Sequence, residues 1–255
     1  MSERISPTAH YTGYVWARNG LSHPELASWE GRVLFETVRP SMLVFGLLRG
    51  PTLEPYLLAR HRGIDARLED WITPGAQILE IAGGLSPRGW RFKRRHGRKI
   101  DYVEADLPDM AARKRQALAR MGAMHRVEDL DVLRPGDLEE LAATLDPGRP
   151  LAIITEGLLS YLDRDDVLDI WRRFAETLSG FSGGLYLSDL HVVEDASGPH
   201  VEFFRLLLSA FVRGQVRVHF EDAAEAVAAL EAAGFAEAAA PRADSQPVRI
   251  VEASV

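Results

Sequence analysis

The sequence predicts an α/β protein built on a doubly wound seven-stranded sheet, with a helical N-terminal extension and a C-terminal antiparallel hairpin. From Gln77 onward, short apolar runs of strand length alternate with segments of helix length. Five such runs separated by four helices imply parallel strands, because a parallel pair needs a crossover connection. The last two apolar runs are joined by a turn-rich segment, which is typical of an antiparallel hairpin.

Composition excludes several classes of protein. The chain has 255 residues, 46% of them hydrophobic and 26% charged, which is ordinary for a globular domain. A net charge of -7 opposes binding to nucleic acid. The absence of cysteine excludes disulfides and thiolate zinc sites, and no metal site is predicted. No apolar segment has the length of a membrane span or signal peptide, so the expected location is cytoplasmic.

Residues 1–70 are expected to form the helical extension or cap, and 71–255 the main domain. Apolar residues recur at spacings of three and four before residue 70, as in Leu26, Trp29 and Val33, so several short helices are predicted. Proline and glycine are expected to separate them. These breaks fall at Pro24, Pro40, Gly50-Pro51 and Pro55.

The alternating region gives each strand and helix in turn. The five expected strands are Gln77–Ile81, Ile100–Glu104, Met124–Val127, Leu151–Thr155 and Leu185–Ser188. The helices between them are expected at about 87–97, 108–121, 136–145 and 165–179. Glycines precede the later strands and suit helix C-termini.

The end of the chain departs from simple alternation. An apolar helix at about Pro199–Val212 and a strand at Gln215–Phe220 are interpreted as a substrate-side insertion at 199–220. A helix at 221–233 is expected next. Two final runs, Phe235–Ala240 and Val248–Ala253, form the predicted hairpin.

The segment on which the functional interpretation depends is Glu80-Ile-Ala-Gly-Gly-Leu-Ser-Pro-Arg. It predicts a strand that enters a glycine turn and then a helix, an arrangement that holds nucleotide-like cofactors. No Gly-Lys-Ser/Thr follows and the full Gly-x-Gly-x-x-Gly is absent, so phosphate binding is disfavoured.

Acidic residues follow the next three strands. Glu104 and Asp106 come after the second strand, at a distance from the glycines that suits hydrogen bonds from ribose hydroxyls. Asp129 and Asp131 follow the third strand, and Glu156 follows the fourth. Because the carboxyl ends of parallel strands meet at one edge, these acids are expected to share a crevice. Such a site suits a cofactor with ribose hydroxyls, an ammonium and a sulfonium, a description that fits S-adenosylmethionine.

A basic segment, Arg88 to Lys99, has two interpretations. It is either a solvated helix face with cations near the helix C-terminus or an anion-binding surface. The net negative charge of the chain favours the interpretation as a solvated face.

Four ordered motifs resemble the leucine carboxyl methyltransferase-like family, which includes polyketide-biosynthesis O-methyltransferases of the tetracenomycin type. The glycine turn looks like the first motif of the family, and the second motif is similar to Tyr102-Val-Glu-Ala-Asp-Leu-Pro-Asp. The third resembles Glu128-Asp129-Leu130. The signature after the fourth strand resembles Thr155-Glu-Gly-Leu-Leu-Ser-Tyr-Leu. Upstream, Ala59-Arg60-His61 resembles the arginine-bearing helix of the family. The resemblance implies a class I, Rossmann-like methyltransferase that uses S-adenosyl-L-methionine.

The resemblance also implies roles for single residues. Arg60 would pair with the methionyl carboxylate, with Arg62 as a competitor; Asp106 would hold the ribose; Glu156 would lie near the methionyl amine. Asp129 and Leu130 would meet the adenine. The implied cofactor-binding set is Arg60, Glu80, Ala82, Gly83, Gly84, Asp106, Asp129, Leu130 and Glu156.

The chain departs from the family pattern at two places. Ala-Gly-Gly stands where Gly-Ala-Gly is usual, and Leu-Ser-Pro-Arg where Leu-Asp-Thr-Arg is usual. Three functions stay open, and the altered glycine turn supports the last of them. They are a small-molecule O-methyltransferase of secondary metabolism, a protein carboxyl methyltransferase, and a non-catalytic binding protein with the same fold.

The acceptor is expected to be a small aromatic or polyketide-like molecule that offers a carboxylate or a hydroxyl. A carboxylate needs no base, whereas a hydroxyl does, and His191 after the fifth strand is the candidate base. Aromatic residues with a polar group at the end of the ring, near the N-terminus, and phenylalanines of the predicted insertion are candidates to line the acceptor pocket. The predicted substrate residues are Tyr11, Tyr14, Trp16, Tyr161 and Phe204.

Overall fold

The computed structural model describes residues 7–47, 52–123, 125–196, 217–243 and 248–255. Its centre is a seven-stranded sheet in the order β3-β2-β1-β4-β5-β7-β6. The strands are β1 (Gln77–Ile81), β2 (Asp101–Asp106), β3 (Arg126–Asp129), β4 (Leu151–Thr155), β5 (Gly184–Leu190), β6 (Glu237–Ala239) and β7 (Arg249–Ser254). The predicted doubly wound, Rossmann-like sheet is confirmed.

Strands β1 to β5 pair in parallel, and their carboxyl ends are aligned. Ile81 at the end of β1 lies opposite Ala105 in β2 and Thr155 in β4. The residues that follow these strands therefore meet at one edge of the sheet. The predicted hairpin is confirmed by the antiparallel pairing of β6 with β7, and β7 also pairs antiparallel with β5.

Helices cover both faces of the sheet. Alternate residues of each strand point to opposite faces, so Ile78 packs in one apolar cluster and Leu79 in the other. The helices are α1 (Pro7–Arg18), α2 (Trp29–Leu47), α3 (Leu53–Trp71), α4 (Arg88–His96), α5 (Pro108–Arg120), α6 (Asp137–Ala142), α7 (Arg164–Ser179) and α8 (Ala223–Ala232). Residues of α1, α3 and α4 pack on one face, and residues of α6, α7 and α8 on the other.

The N-terminal segment is helical as predicted, but two of the expected breaks are wrong. Helices α2 and α3 have 19 residues each, and Pro40 lies inside α2. Proline removes one helical hydrogen bond, and Glu36, whose carbonyl loses its partner, is exposed to water that can replace it. Pro55 lies in the first turn of α3, where an N–H has no helical partner.

The predicted insertion falls mostly outside the described residues. The helix at 199–212, which includes Phe204, lies outside them entirely. Of the strand predicted at 215–220, the described part, 217–220, contains no strand, and an isolated bridge joins Phe220 to Val192. Within the described ranges, no helix combines the length and apolarity that crossing a membrane requires.

Candidate functional site

The glycine turn joins β1 to α4 at the carboxyl edge of the sheet. Ala82 has φ 55° and Gly84 has φ 57°, so both adopt the left-handed conformation that favours glycine. The Ala82 N–H donates to the Ala105 carbonyl at 2.8 Å, which fixes the start of the turn against β2. The alanine at the unusual position therefore keeps a glycine-like backbone.

Asp106 at the end of β2 holds this turn from the opposite side. Its two carboxylate oxygens accept the Gly84 N–H at 2.9 Å and the Leu107 N–H at 2.8 Å. Burial raises the pKa of Asp106, while these two N–H donors and Lys114 oppose that rise. Each carboxylate oxygen can accept a further hydrogen bond, so Asp106 is placed to bind hydroxyl groups in the crevice.

A second buried cluster supports the turn from behind. The Lys114 ammonium donates to the Ser86 carbonyl and pairs with Glu104. Glu104 also contacts His125 at 2.6 Å. Burial by itself raises the pKa of Glu104, but Lys114 and His125 outweigh burial and hold that pKa below its ordinary value. Of the two acids predicted after β2, Glu104 is therefore a support, and Asp106 is the one at the turn.

Arg60 and Glu156 form a buried ion pair near the turn. Arg60 on α3 donates through Nε to Glu156 at 3.0 Å and through Nη1 to Asp189 at 3.3 Å. Asp189 in β5 also accepts the Gly157 N–H at 2.6 Å. The competing Arg62 is exposed on α3. The structure thus brings Arg60, and not Arg62, together with Glu156.

Arg88, the first residue of α4, connects Glu156 to two other buried carboxylates. Its guanidinium pairs with Asp65 at 2.7 Å, Glu80 at 2.6 Å and Glu156 at 2.6 Å. His61 lies 2.8 Å from Glu156. Burial by itself raises the pKa of Glu156, but His61, Arg88 and Arg60 outweigh it and hold the pKa well below its ordinary value. Glu156 is therefore ionised at neutral pH.

Glu80, predicted as a cofactor residue, lies inside this ion network. Its side chain is fully buried and accepts hydrogen bonds from Arg88 and from Tyr102 at 2.8 Å. Asp129 is exposed and pairs with Arg115. Leu130 is buried, and its N–H donates to the Asp106 carbonyl at 2.8 Å. Asp129, the last residue of β3, and Leu130 after it thus lie directly beside Asp106.

The predicted acceptor residues have different surroundings. Tyr11 is buried, Tyr14 is half-buried, and both rings pack against Phe35 at centroid distances of 5.8 and 5.3 Å. The Trp16 ring lies 4.7 Å from the ring of His61. Tyr161 is exposed after β4. Trp16 therefore contacts the ion network through His61, whereas Tyr161 lies at the surface in the segment that follows β4.

His191, the predicted base, lies just beyond the end of β5. Its Nε2 contacts the hydroxyl of Tyr56, and its Nδ1 is 3.3 Å from Ser160 Oγ. Burial lowers the pKa of His191, Asp189 raises it and Arg60 lowers it, with a net decrease. The imidazole is therefore neutral at pH 7 and able to accept a proton.

Four residues of the site were not singled out from the sequence. The interpretation of the basic segment as a solvated face is wrong for Arg88, which is fully buried. Its position at the start of α4, where the helix dipole disfavours a cation, was a usable signal. Asp189 comes directly after the predicted fifth strand, Leu185–Ser188, so the rule that found Glu156 also applies to it. His61 and Asp65 had no such signal, since α3 lies far from the strand ends in sequence.

Comparison with known proteins identifies the family. The model of the leucine carboxyl methyltransferase family matches residues 45–175, just over half of the chain. The chain belongs to this family. The match includes α3, the glycine turn and the strand ends to β4, and therefore most of the site.

Curated relatives match part of this chain in sequence. A protein of Mycobacteroides abscessus named as an S-adenosyl-L-methionine-dependent methyltransferase is 36% identical over 117 residues, which is 43% of this chain and 36% of that protein. Another so named, from Gibberella zeae, is 30% identical over 132 residues, 49% of this chain and 43% of its own length. The chain thus spans less than half the length of these two relatives.

Solved structures agree on the fold. PigF with SAH superimposes with a TM-score of 0.58 at 22% identity, covering 76% of this chain and 54% of PigF. The S-adenosylmethionine-dependent methyltransferase SibL in its apo form has a TM-score of 0.52 at 17% identity, covering 94% of this chain and 76% of SibL. The fold of this family member is therefore the Rossmann-like fold that both share.

Proposed function

We propose that this chain is an S-adenosyl-L-methionine-dependent O-methyltransferase that acts on a small molecule. The observation that carries the proposal is the placement, in a member of this family, of the Arg60–Glu156 pair and the Asp106-bound glycine turn at one edge of the sheet. This edge is where open α/β sheets bind their ligands.

The residues at the edge fit the chemical groups of S-adenosylmethionine. A guanidinium has five N–H donors, more than the contacts of Arg60 with Glu156 and Asp189 use, so Arg60 can bind the methionyl carboxylate. The ionised Glu156 binds the methionyl ammonium. Asp106 accepts hydrogen bonds from the ribose hydroxyls, and Asp129 and Leu130 lie at the adenine. Ala82, Gly83 and Gly84 form the backbone surface between them.

The turn that differs from the family pattern supports cofactor binding and not its loss. Ala82 adopts φ 55°, the conformation in which glycine is usual, and Asp106 still accepts the Gly84 N–H. The chain has thus kept the backbone geometry despite the added methyl group. This weakens the case for a non-catalytic binding protein, whose support was the altered turn.

When bound, S-adenosylmethionine supplies a methyl group on a positively charged sulfur, which an acceptor oxygen can take by in-line displacement. The contribution of this chain is to align the acceptor oxygen with the methyl group and to exclude water. For a hydroxyl acceptor, the neutral imidazole of His191 takes the proton at Nδ1, whose contact with Ser160 at 3.3 Å is the looser of its two, while Tyr56 holds Nε2. For a carboxylate acceptor, no proton has to move.

The preferred acceptors are aromatic or polyketide-like compounds. Trp16 supplies an apolar ring beside the polar site, and Tyr161 supplies an exposed ring with a polar tip in the segment after β4, which suits a flat molecule with one reacting oxygen.

The test is methyl transfer from methyl-labelled S-adenosylmethionine to a panel of aromatic acids, phenols and peptides. We expect labelled product with an aromatic acid or phenol and none with the peptides. Labelling of a peptide C-terminus alone would replace this proposal with a protein carboxyl methyltransferase. A chain that binds the cofactor but labels nothing in an extended panel would favour a binding protein.

A further inference from the structure

Four buried side chains of alternating charge form a continuous row at the candidate site. In order they are Arg88, Glu156, Arg60 and Asp189, which we call the charge row. Neighbouring members are joined at 2.6 Å, 3.0 Å and 3.3 Å. None of the four is more than 8% exposed. They come from α4, the end of β4, α3 and β5, so the row connects four elements.

The two inner members are the groups assigned above to the methionyl end of the cofactor. The two outer members have no ligand role in that assignment. Each outer residue instead takes one side of its inner neighbour. Arg88 binds Oε2 of Glu156 while Arg60 binds Oε1, and Asp189 binds Nη1 of Arg60 while Glu156 binds Nε.

The outer residues also have anchors of their own. Arg88 is fixed by Asp65 and Glu80, and Asp189 accepts the N–H of Gly157. Gly157 has φ 73°, and a Cβ there would lie 3.3 Å from the Arg60 guanidinium. The turn after β4 is therefore shaped to leave room for Arg60.

Electrostatics explains what the outer residues change. Without other partners, a buried Arg60–Glu156 pair would form a bidentate ion pair with two parallel hydrogen bonds, in which each charge neutralises the other. Because Arg88 and Asp189 compete for one side of each inner group, the inner pair is held by a single contact at 3.0 Å. Oε2 of Glu156 is taken by Arg88 and by His61 at 2.8 Å, but Oε1 can accept a second hydrogen bond beside that from Arg60, and the Arg60 guanidinium has further N–H donors. Both inner groups therefore retain the capacity to bind a charged ligand.

We propose that Arg88 and Asp189 are positioning residues that keep Glu156 and Arg60 available as separate binding groups for the ammonium and the carboxylate of an α-amino acid moiety. This inference rests on the proposed function, and it adds two residues that determine specificity for the amino acid end of the ligand.

Three ligands separate the two inner groups. S-adenosylhomocysteine has both the ammonium and the carboxylate, its decarboxylated form has only the ammonium, and 5′-methylthioadenosine has neither. The variants are Asp189→Asn and Arg88→Lys, titrated by calorimetry beside the wild-type chain. Asp169→Asn and Arg172→Lys are matched controls, because they belong to an exposed ion pair on α7 at 3.0 Å.

The proposal predicts a different pattern for each variant. Asp189→Asn lets Arg60 turn further onto Glu156, so it weakens S-adenosylhomocysteine about tenfold, the loss of one charged hydrogen bond, weakens the decarboxylated form by less, and leaves 5′-methylthioadenosine within about twofold. Arg88→Lys weakens both amine-bearing ligands about tenfold and leaves 5′-methylthioadenosine within about twofold. The two controls leave all three affinities unchanged.

Equal weakening of all three ligands would show a general structural role and overturn the proposal, as would unchanged affinity for S-adenosylhomocysteine. Asp189→Asn keeps the shape of the side chain, so its pattern decides alone if Arg88→Lys does not fold. A wild-type chain that binds none of the ligands contradicts the proposed function itself. If the wild-type chain binds S-adenosylhomocysteine tightly but the two variants do not show the predicted losses of affinity, only this inference is contradicted.

Discussion

Ala82 carries backbone strain at the centre of the site. A residue with a Cβ in the left-handed conformation costs about 1 to 2 kcal/mol, and Ala82 has φ 55°. Ala82→Gly removes this strain but adds freedom to the unfolded chain, so we expect the free energy of unfolding to rise by about 0.5 to 1 kcal/mol. Urea denaturation at pH 7 measures the change.

The matched control is Ala119→Gly on the exposed side of α5. There the same substitution should lower the free energy of unfolding by about 1 kcal/mol, because glycine is a poor helix former. If both variants lose stability equally, the turn at Ala82 does not have the left-handed backbone.

His191 should matter for one class of acceptor only. Removing a general base slows a reaction by about 10² to 10⁴. We therefore expect His191→Ala to reduce methyl transfer to a phenol by that factor and to leave transfer to a carboxylate unchanged. His96→Ala, at the far end of α4, is the control. Equal rates for wild type and His191→Ala with a phenol would remove His191 from the mechanism.

The pH profile gives an independent check on His191. Burial lowers the pKa of this imidazole below its ordinary value of 6.5, so it stays unprotonated as the pH falls through that value. The rate of phenol methylation should then hold its plateau below pH 6.5. A decline that begins above this pH would show that another group controls the rate.

Helix α5 stabilises the glycine turn through one side chain. Lys114 is 2% exposed and joins the Ser86 carbonyl to Glu104, so Lys114→Met leaves a buried carboxylate with His125 as its remaining partner. Breaking a buried pair costs about 3 to 5 kcal/mol, and we expect about 3 kcal/mol here. Chemical denaturation of Arg120→Met, whose exposed pair with Glu25 contributes at most about 1 kcal/mol, is the comparison. Similar losses in both would mean that Lys114 does not support the turn.

Elements made of continuous apolar runs were predictable from the sequence. Strands β1 and β4 begin and end as predicted, since all five residues of each are buried and their composition alone separates them from their flanks. Strand β3 is half-buried, and it begins at Arg126, two residues after the start that its apolar run predicts. The break predicted at Pro40 is absent because a proline removes a single helical hydrogen bond, whereas the packing of α2 against α1 stabilises the whole helix. Part of that packing is the contact between the rings of Tyr11 and Phe35.

At the scale of the whole molecule, buried ion pairs make stability depend on pH. The pKa values of Glu156, Glu104 and Asp65 lie below their ordinary values, because neighbouring cations outweigh the effect of burial. Such groups stabilise the folded state at pH values above the ordinary carboxyl pKa. This stabilisation is lost as the pH falls through the lowered pKa of the folded state. Asp106, with a raised pKa, acts in the opposite direction.

We therefore expect the free energy of unfolding to fall between about pH 5 and pH 3, by about 1.4 kcal/mol for each unit of pKa depression. Urea denaturation across this range measures it. Glu156→Gln should show a smaller dependence on pH, and Glu176→Gln on α7 should match the wild type. A pH dependence that Glu156→Gln leaves unchanged would contradict the role of this carboxylate.

The candidate site was predictable where it follows the sheet and less so where it depends on tertiary contacts. Asp106 and Asp129 end their strands and Glu156 directly follows one, so topology alone brings them to one edge. The pairing of Arg88 with Asp65 and Glu156 joins residues 23 and 68 positions away. Nothing local in the sequence encodes those contacts, because they arise only when α3 and α4 pack beside the strand ends.

The central claim is that the edge formed by the glycine turn, Asp106, Arg60 and Glu156 binds S-adenosylmethionine. Calorimetric titration of the wild-type chain with S-adenosylhomocysteine tests it most directly, with Asp106→Asn as the matched variant. We expect one site with a dissociation constant between about 1 μM and 1 mM, weakened about tenfold or more in Asp106→Asn. No heat of binding at millimolar ligand with the folded wild-type chain would contradict it.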